Sequence, residues 1–300
     1  MILPALAFAD GFPTAEHSTH LVLDDDLSLP SDVGVGTNGK IYVVNGGNHE
    51  VAVFDSAGQR TATLGEQGSE PGELFQPVGI GVGPKGEIYV ADKGNQRLQR
   101  YSRDGELERA IPLQEDGDDV SPVDVAVSAS GKELYVTANN SHRVLVFSNK
   151  GNFLRGWGGE GDADGEFRYP ATLELDSAGN VLVVDVLNQR VQKFDPEGEH
   201  LLNIGGLGGK PGSFYRPKGI ALDNAGRIYV SDSFLGVVQV FDANGKFLHV
   251  LGSDGTSTVF ETPVGMITDG ARLLVVEMLA GKVLLLDIAA PMPAEGESQP

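Results

Sequence analysis

Prolines recur along this chain at positions 30, 77, 122, 170, 217 and 263, at intervals of 47, 45, 48, 47 and 46 residues. A period of this size belongs to propellers and solenoids, in which one supersecondary unit cannot bury both its faces and must stack on copies of itself. Each proline opens the same order of residues. The second copy reads Pro77-Val-Gly-Ile-Gly-Val, then Pro84-Lys-Gly86, Ile88-Tyr-Val-Ala-Asp92, Asn95-Gln-Arg-Leu-Gln-Arg-Tyr101 and Gly105. The fifth repeats it as Pro217-Lys-Gly-Ile-Ala-Leu, Gly226-Arg-Ile-Tyr-Val-Ser-Asp232, Val237-Val-Gln-Val-Phe-Asp242, Gly245 and Phe247-Leu-His-Val-Leu-Gly252.

One copy holds four short runs of β-branched, aromatic and aliphatic residues, bounded by Gly, Asn, Asp or Pro, which is the signature of strands joined by tight turns. Turns such as Thr37-Asn-Gly39 and Asn224-Ala-Gly226 place glycine where a positive φ is needed. A lone four-stranded meander leaves both faces wet; six arranged about an axis cover them and leave only short edges. The expectation is an all-β, six-bladed β-propeller of four-stranded antiparallel blades. Closure is readable too. The sixth copy stops after Lys282-Val-Leu-Leu-Leu-Asp287 without a fourth strand, while Thr19-His-Leu-Val-Leu-Asp24 precedes the first copy without a blade of its own. That N-terminal segment is expected to complete blade six.

The pattern Pro-x-Gly, Gly-x-Ile-Tyr-Val-x-Asp, Asn-x-Arg resembles the NHL repeat over roughly residues 19–288. The resemblance implies a propeller fold and leaves function open, since such folds carry unrelated activities. The division expected is residues 1–16 as a signal-peptide remnant and tail, 17–288 as one propeller, and 289–300 as a disordered tail.

Composition narrows the functional classes. The 41 glycines and 16 prolines fit repeated turns, and cysteine is absent, so disulfides, thiolate zinc sites and cysteine nucleophiles are excluded. With 42 acidic against 22 basic residues the net charge is −20, which argues against nucleic acid and anionic lipid and for a neutral or basic protein or peptide partner. No apolar run is long enough to cross a membrane, so no membrane insertion is expected. Ala7-Phe8-Ala9, after a short apolar run, fits the end of a bacterial secretory signal whose beginning lies upstream of Met1. A periplasmic or extracellular monomer is expected, with a cytoplasmic protein as the alternative.

Strand direction orients the disc. The prolines, the loops between second and third strands and the inter-blade loops share one face, called top here, where binding residues usually sit. Peptidyl-amidoglycolate lyases, which resemble this repeat, place zinc-binding histidines directly after the repeat prolines; here those positions are Ser31, Val78, Val123, Ala171, Lys218 and Val264. His49 and His142 occupy matching positions in blades one and three and are read as solvated loop histidines. Lactonase-type propellers, also similar, bind a divalent cation near the axis, for which Asp32, Asp124, Asn45, Asp92, Asp185, Asp232 and Glu277 are the candidates and calcium the fitting ion. An acid ending the second strand also belongs to the repeat itself and can cap a turn. No metal site is therefore assigned. The loop Glu160-Gly-Asp162-Ala-Asp164-Gly-Glu166 lacks the distal glutamate of a calcium loop. The basic top face by which animal TRIM–NHL proteins recognise RNA is not evident: Arg97, Arg143 and Arg190 recur at one position, and two of them follow Asp92 and Asp185, which reads as pairing within the repeat.

An asymmetry supplies the candidate site. After the second strand, blades four to six carry Val186-Leu187, Phe234-Leu235 and Met278-Leu279, where blades one to three carry Gly46-Gly47, Lys93-Gly94 and Asn139-Asn140. These six apolar residues, with Lys218 at their inner edge, form either an exposed partner patch or a lid folded over the channel. The resulting reading is a non-enzymatic scaffold that binds a partner through its top face, without a catalytic residue or resident cofactor. A divalent-cation hydrolase or lactonase using the axial pocket is one alternative, and a sensor domain of a larger assembly is another.

Overall fold

A computed structural model describes residues 13–15, 17–253, 256–257 and 259–288. Of the segment 1–16 read as signal remnant and tail, residues 1–12 and 16 lie outside the described residues, as does the tail from 289 onward. Each proline repeat forms one antiparallel blade. Blade one is Pro30–Val35, Ile41–Asn45, Glu50–Phe54 and Arg60–Leu64, running outward from the axis. Blade two follows as Pro77–Val82, Ile88–Asp92, Arg97–Tyr101 and Leu107–Pro112. The innermost strands of blades three to six begin at Pro122, Pro170, Pro217 and Pro263. Neighbouring innermost strands touch in a closed cycle, with that of blade six against that of blade one.

Closure occurs as the repeat pattern requires. His17–Leu23 pairs antiparallel with Lys282–Ile288, from His17 opposite Ile288 to Leu23 opposite Val283, and forms the outer strand of blade six. A second tie was not visible in the pattern: Thr14–Ala15 adds in parallel to Phe247–Ser253, the outer strand of blade five. The N-terminal segment therefore staples two blades. A short hairpin, Gln114–Glu115 with Asp118–Asp119, is inserted between blades two and three.

The core lies between blades. Tyr42, Val44, Val51 and Val53 of blade one pack on Ile80, Ile88, Val90 and Tyr101 of blade two, and equivalent clusters fill the other interfaces. Each such side chain contributes about 1.5–3 kcal/mol on full burial. The Asp-x-x-Gly turns between third and fourth strands are built locally: Asp55 Oδ1 accepts the Ala57 and Gln59 amides, and Gly58 takes φ 82°.

The Pro-x-Gly signature has an axial cause. Two residues after the proline stand Asp32, Gly79, Asp124, Thr172, Gly219 and Gly265, where adjacent blades come closest. A methyl group added at Gly79 or Gly265 would overlap the Asp124 or Asp32 carboxylate, respectively. Asp32 bonds onward to the Ile80 amide of blade two (3.0 Å), and Asp124 to the Leu173 amide of blade four (2.9 Å). The two aspartates thus link the axial strands of blades six, one, two, three and four.

Candidate functional site

The buried acids fall into two sets that the sequence pattern did not separate. Those ending the second strands hold the inter-blade loops. Asp92 accepts the Phe75 amide (2.8 Å), Asn95 (2.8 Å) and Arg97 Nε (2.8 Å), and Arg97 also donates to the carbonyls of Ser69, Glu70 and Glu73. Asp185, Asn188 and Arg190 repeat this in blade four. Asp232 takes the Tyr215, Phe234 and Leu235 amides; Glu277 takes the Glu261 amide and Lys282; Asn45 takes the Ser28 amide and donates to Glu50. Their oxygens are occupied by the fold itself. Asp–Arg pairing within the repeat is thus observed in blades two and four. In blade three Ala138 replaces the aspartate, and Arg143 pairs instead with Glu115 of the inserted hairpin.

The second set lines the axis. Asp32 and Asp124 line a cavity of about 420 Å³ whose wall is mainly apolar, together with Glu174 of the blade-four axial strand. The mouth is formed by Thr37, Gly83, Ser128 and Ser177, which belong to the turns between first and second strands. The axial pocket therefore opens on the bottom face, opposite the loops on which sequence reasoning placed binding. Four residues after the prolines, Gly34, Gly81 and Ala126 line this part of the channel with little side-chain bulk.

No lysine or arginine lines this funnel. Burial pushes the carboxyl of Asp124 up to about 6, and burial with the charge of Asp124 pushes Glu174 up to about 8. Asp32 is raised well above its ordinary range, first by burial and then by Asp124. Acids without a counter-cation in an apolar setting keep their protons. Among the described residues no group of three or more His, Cys, Asp or Glu stands where it could hold one metal ion.

On the top face the six apolar candidates divide. Val186 and Leu235 are buried and Met278 is half-buried against the core, whereas Leu187, Phe234 and Leu279 are 51%, 55% and 67% exposed. The arrangement is thus neither a patch of all six nor a lid. The loop of blade five has the same length as those of blades four and six, so the residues that match Val186-Leu187 and Met278-Leu279 are Ser233-Phe234; Phe234 stands level with Leu187 and Leu279, and Leu235, one position later, turns inward. The inter-blade loops add Leu29, Phe75, Tyr169, Leu207, Tyr215 and Val259, all exposed, and Tyr215 packs against Phe234 at 5.4 Å between ring centroids. Of the 14 exposed large hydrophobic residues described, nine lie on this face.

Lys218 is half-buried at the top of the axis, and burial followed by the charges of Arg216 and Lys93 lowers its pKa. These three cations enter no ion pair among the described residues. His49 and His142 do not converge. The Nδ1 of each accepts one loop amide, from Gln76 (3.0 Å) and Tyr169 (3.1 Å), and the rings pack on Phe75 and Tyr169. In the loop 160–166, Glu166 accepts its own Ala163 amide and Asp164 accepts Asn203, so this segment is a pinned inter-blade connection.

A family model of the teneurin NHL domain matches residues 58–269, and one of the NHL repeat matches residues 27–54. No curated protein matches the chain in sequence. A gluconolactonase of Xanthomonas campestris superposes with a TM-score of 0.70 at 15% identity, covering 96% of this chain and 99% of that one. Virginiamycin B lyase of Staphylococcus aureus gives 0.61 at 15% identity over 86% and 80% of the two chains, and hydrazine synthase of Kuenenia stuttgartiensis gives 0.62 at 14% over 91% and 98%. Identities this low establish a shared fold. Among the described residues no helix is long and apolar enough to cross a membrane.

Proposed function

The chain belongs to the teneurin NHL domain family of NHL-repeat propellers, and from that premise we propose that it is a binding scaffold that captures a protein partner on its top face. The observation that carries this reading is the gathering of exposed apolar side chains there, with Leu187, Phe234, Tyr215 and Leu279 on three consecutive blades. Side chains of this kind, held by a rigid ring and rimmed by polar loops, are the usual anchors of an interface. The global charge of −20 favours a basic partner. Local charge points elsewhere: Lys93, Arg216 and Lys218 near the centre suit a neutral or acidic surface with apolar anchors. The apolar run ending in Ala7-Phe8-Ala9 supports a setting outside the cytoplasm.

The test is affinity capture from a cell-envelope extract with the full chain and with a Leu187→Ser, Phe234→Ser, Leu279→Ser variant. A partner retained by the first and lost by the second, with unchanged thermal melts, supports the reading. Equal capture by both overturns it.

A further inference from the structure

We propose that the axial funnel on the bottom face is a separate binding site for a small organic cation, an ammonium group carried on an apolar body. Three features on one cavity lead there. Its volume, about 420 Å³, falls in the range of small-ligand sites and is large enough for a hexyl or phenethyl chain. The wall that such a chain would touch is apolar, with Val35, Val82, Val127, Leu175 and Ile267 around the opening. The lining carries the carboxyl groups of Asp32, Asp124 and Glu174, from blades one, three and four, and no protein cation lines the site.

The position of Glu174 is particular. At the equivalent place the other five blades carry Gly34, Gly81, Ala126, Ala221 and Ile267. Its carboxyl feels the Leu175 amide and the charge of Asp124, and its own charge in turn raises Asp32. No hydrogen bond between side chains explains a glutamate there, in contrast with Asp92 or Glu277, whose every oxygen serves the fold. Asp32 and Asp124 already accept backbone amides, which fixes their orientation and leaves lone pairs toward the cavity.

The chemistry of the ligand follows. An anion would meet these carboxyl groups and no protein cation. A metal ion would need three ligands in reach, and among the described residues no such group stands here. A neutral apolar molecule would leave Glu174 as it is. An ammonium ion supplies the missing counter-charge, donates hydrogen bonds to carboxylate oxygens, and lays its hydrocarbon part on the wall. The other acid on the lining, Asp176, is held by Lys193 at 2.9 Å, and Tyr135 at the mouth is bonded to Glu133 and Arg155. The proton that Glu174 carries near neutral pH leaves to solvent as the ammonium binds, so binding and proton release are coupled. The net charge of −20 would concentrate such cations near the protein.

The test is titration calorimetry of the full chain at pH 7 with hexylammonium chloride, repeated with hexanol and with calcium chloride. Hexylammonium is expected to saturate one site with a Kd of about 1 mM or tighter. Its apparent enthalpy should differ between phosphate and Tris buffer, because a proton is released. Hexanol should bind about tenfold more weakly or worse, and Glu174→Gln, with its melt checked, should lose about tenfold for the amine. The methyl resonance of Met266, which lines the funnel, should move on addition of the amine and gives a readout that needs no variant. Phe234→Ser on the opposite face should bind the amine as the wild type does. An absent heat and an unmoved Met266 signal, equal affinity for hexanol, an unchanged Kd in Glu174→Gln, or displacement of the amine by one equivalent of calcium would each overturn the proposal.

Discussion

Asp92 and Asp124 are both buried, on strands of adjacent blades, and they do opposite things. Asp92 ends a second strand and meets Arg97, Asn95 and a loop amide. Asp124 starts from the axis, meets two amides and no cation, and shares its surroundings with Asp32 and Glu174. A buried carboxylate that is paired holds the chain in place; one without a counter-charge stays chemically responsive. The contrast shows that burial alone does not assign a role, and that in this ring the rim acids are structural while the axial acids can exchange a proton or a ligand.

Removing a rim acid should have the largest effect. Asp92→Ala leaves Arg97 and the Phe75 amide without their acceptor and should cost about 3–5 kcal/mol in urea unfolding, with Asp185→Ala close to it. A loss under about 1 kcal/mol would erase the distinction between the sets. An axial change should run the other way. Glu174 has its pKa raised in the folded state, so the folded protein holds a proton that the unfolded chain gives up between its ordinary value and about 8. The stabilising contribution of that protonated group is complete below the ordinary value and is lost as pH rises through about 8. Glu174→Gln should therefore be more stable than wild type at pH 8.5, by about 1–3 kcal/mol, and indistinguishable at pH 4. Thermal melts across that range check it, and parallel profiles for both proteins would refute it.

A subtler measurement sharpens the axial side. Because the charge of Asp124 raises Glu174, Asp124→Asn should move the Glu174 carboxyl titration, followed by carbon NMR, toward its ordinary range. The smallest effect belongs to blade three, where the rim acid is Ala138 and Arg143 turns to Glu115 on the inserted hairpin. That pair is partly exposed, so Glu115→Ala should cost about 1 kcal/mol or less. A loss matching Asp92→Ala would show that the borrowed carboxylate carries as much as the native one.

Much of this was legible in the residues. Spaced prolines and Gly-x-Ile-Tyr-Val-x-Asp runs give the blades, because turn chemistry and alternation are local. The missing fourth strand of the sixth repeat locates its replacement at Thr19–Asp24, which overlaps the observed strand His17–Leu23. The parallel tie at Thr14–Ala15 was not legible, since two residues carry no period. The axial acids were grouped with the rim acids because both follow repeat positions, although their place two residues beyond a proline, opposite Gly79 and Gly265, distinguishes them. Pairing Phe234 with Leu235 was one position late, since Ser233-Phe234 are the matching residues, and packing buries Leu235 while Phe234 is exposed.

The closing strand also sets a timetable. His17–Leu23 is made some 260 residues before its partner Lys282–Ile288. At roughly 5–20 residues per second, the first strand waits about 13–50 s with an open edge while five blades form behind it. During that interval the ring is a row of blades with two unpaired ends, each able to find the wrong neighbour. Whatever shields a short apolar edge for tens of seconds, whether chaperone, membrane channel or the partner itself, governs the yield of the folded ring.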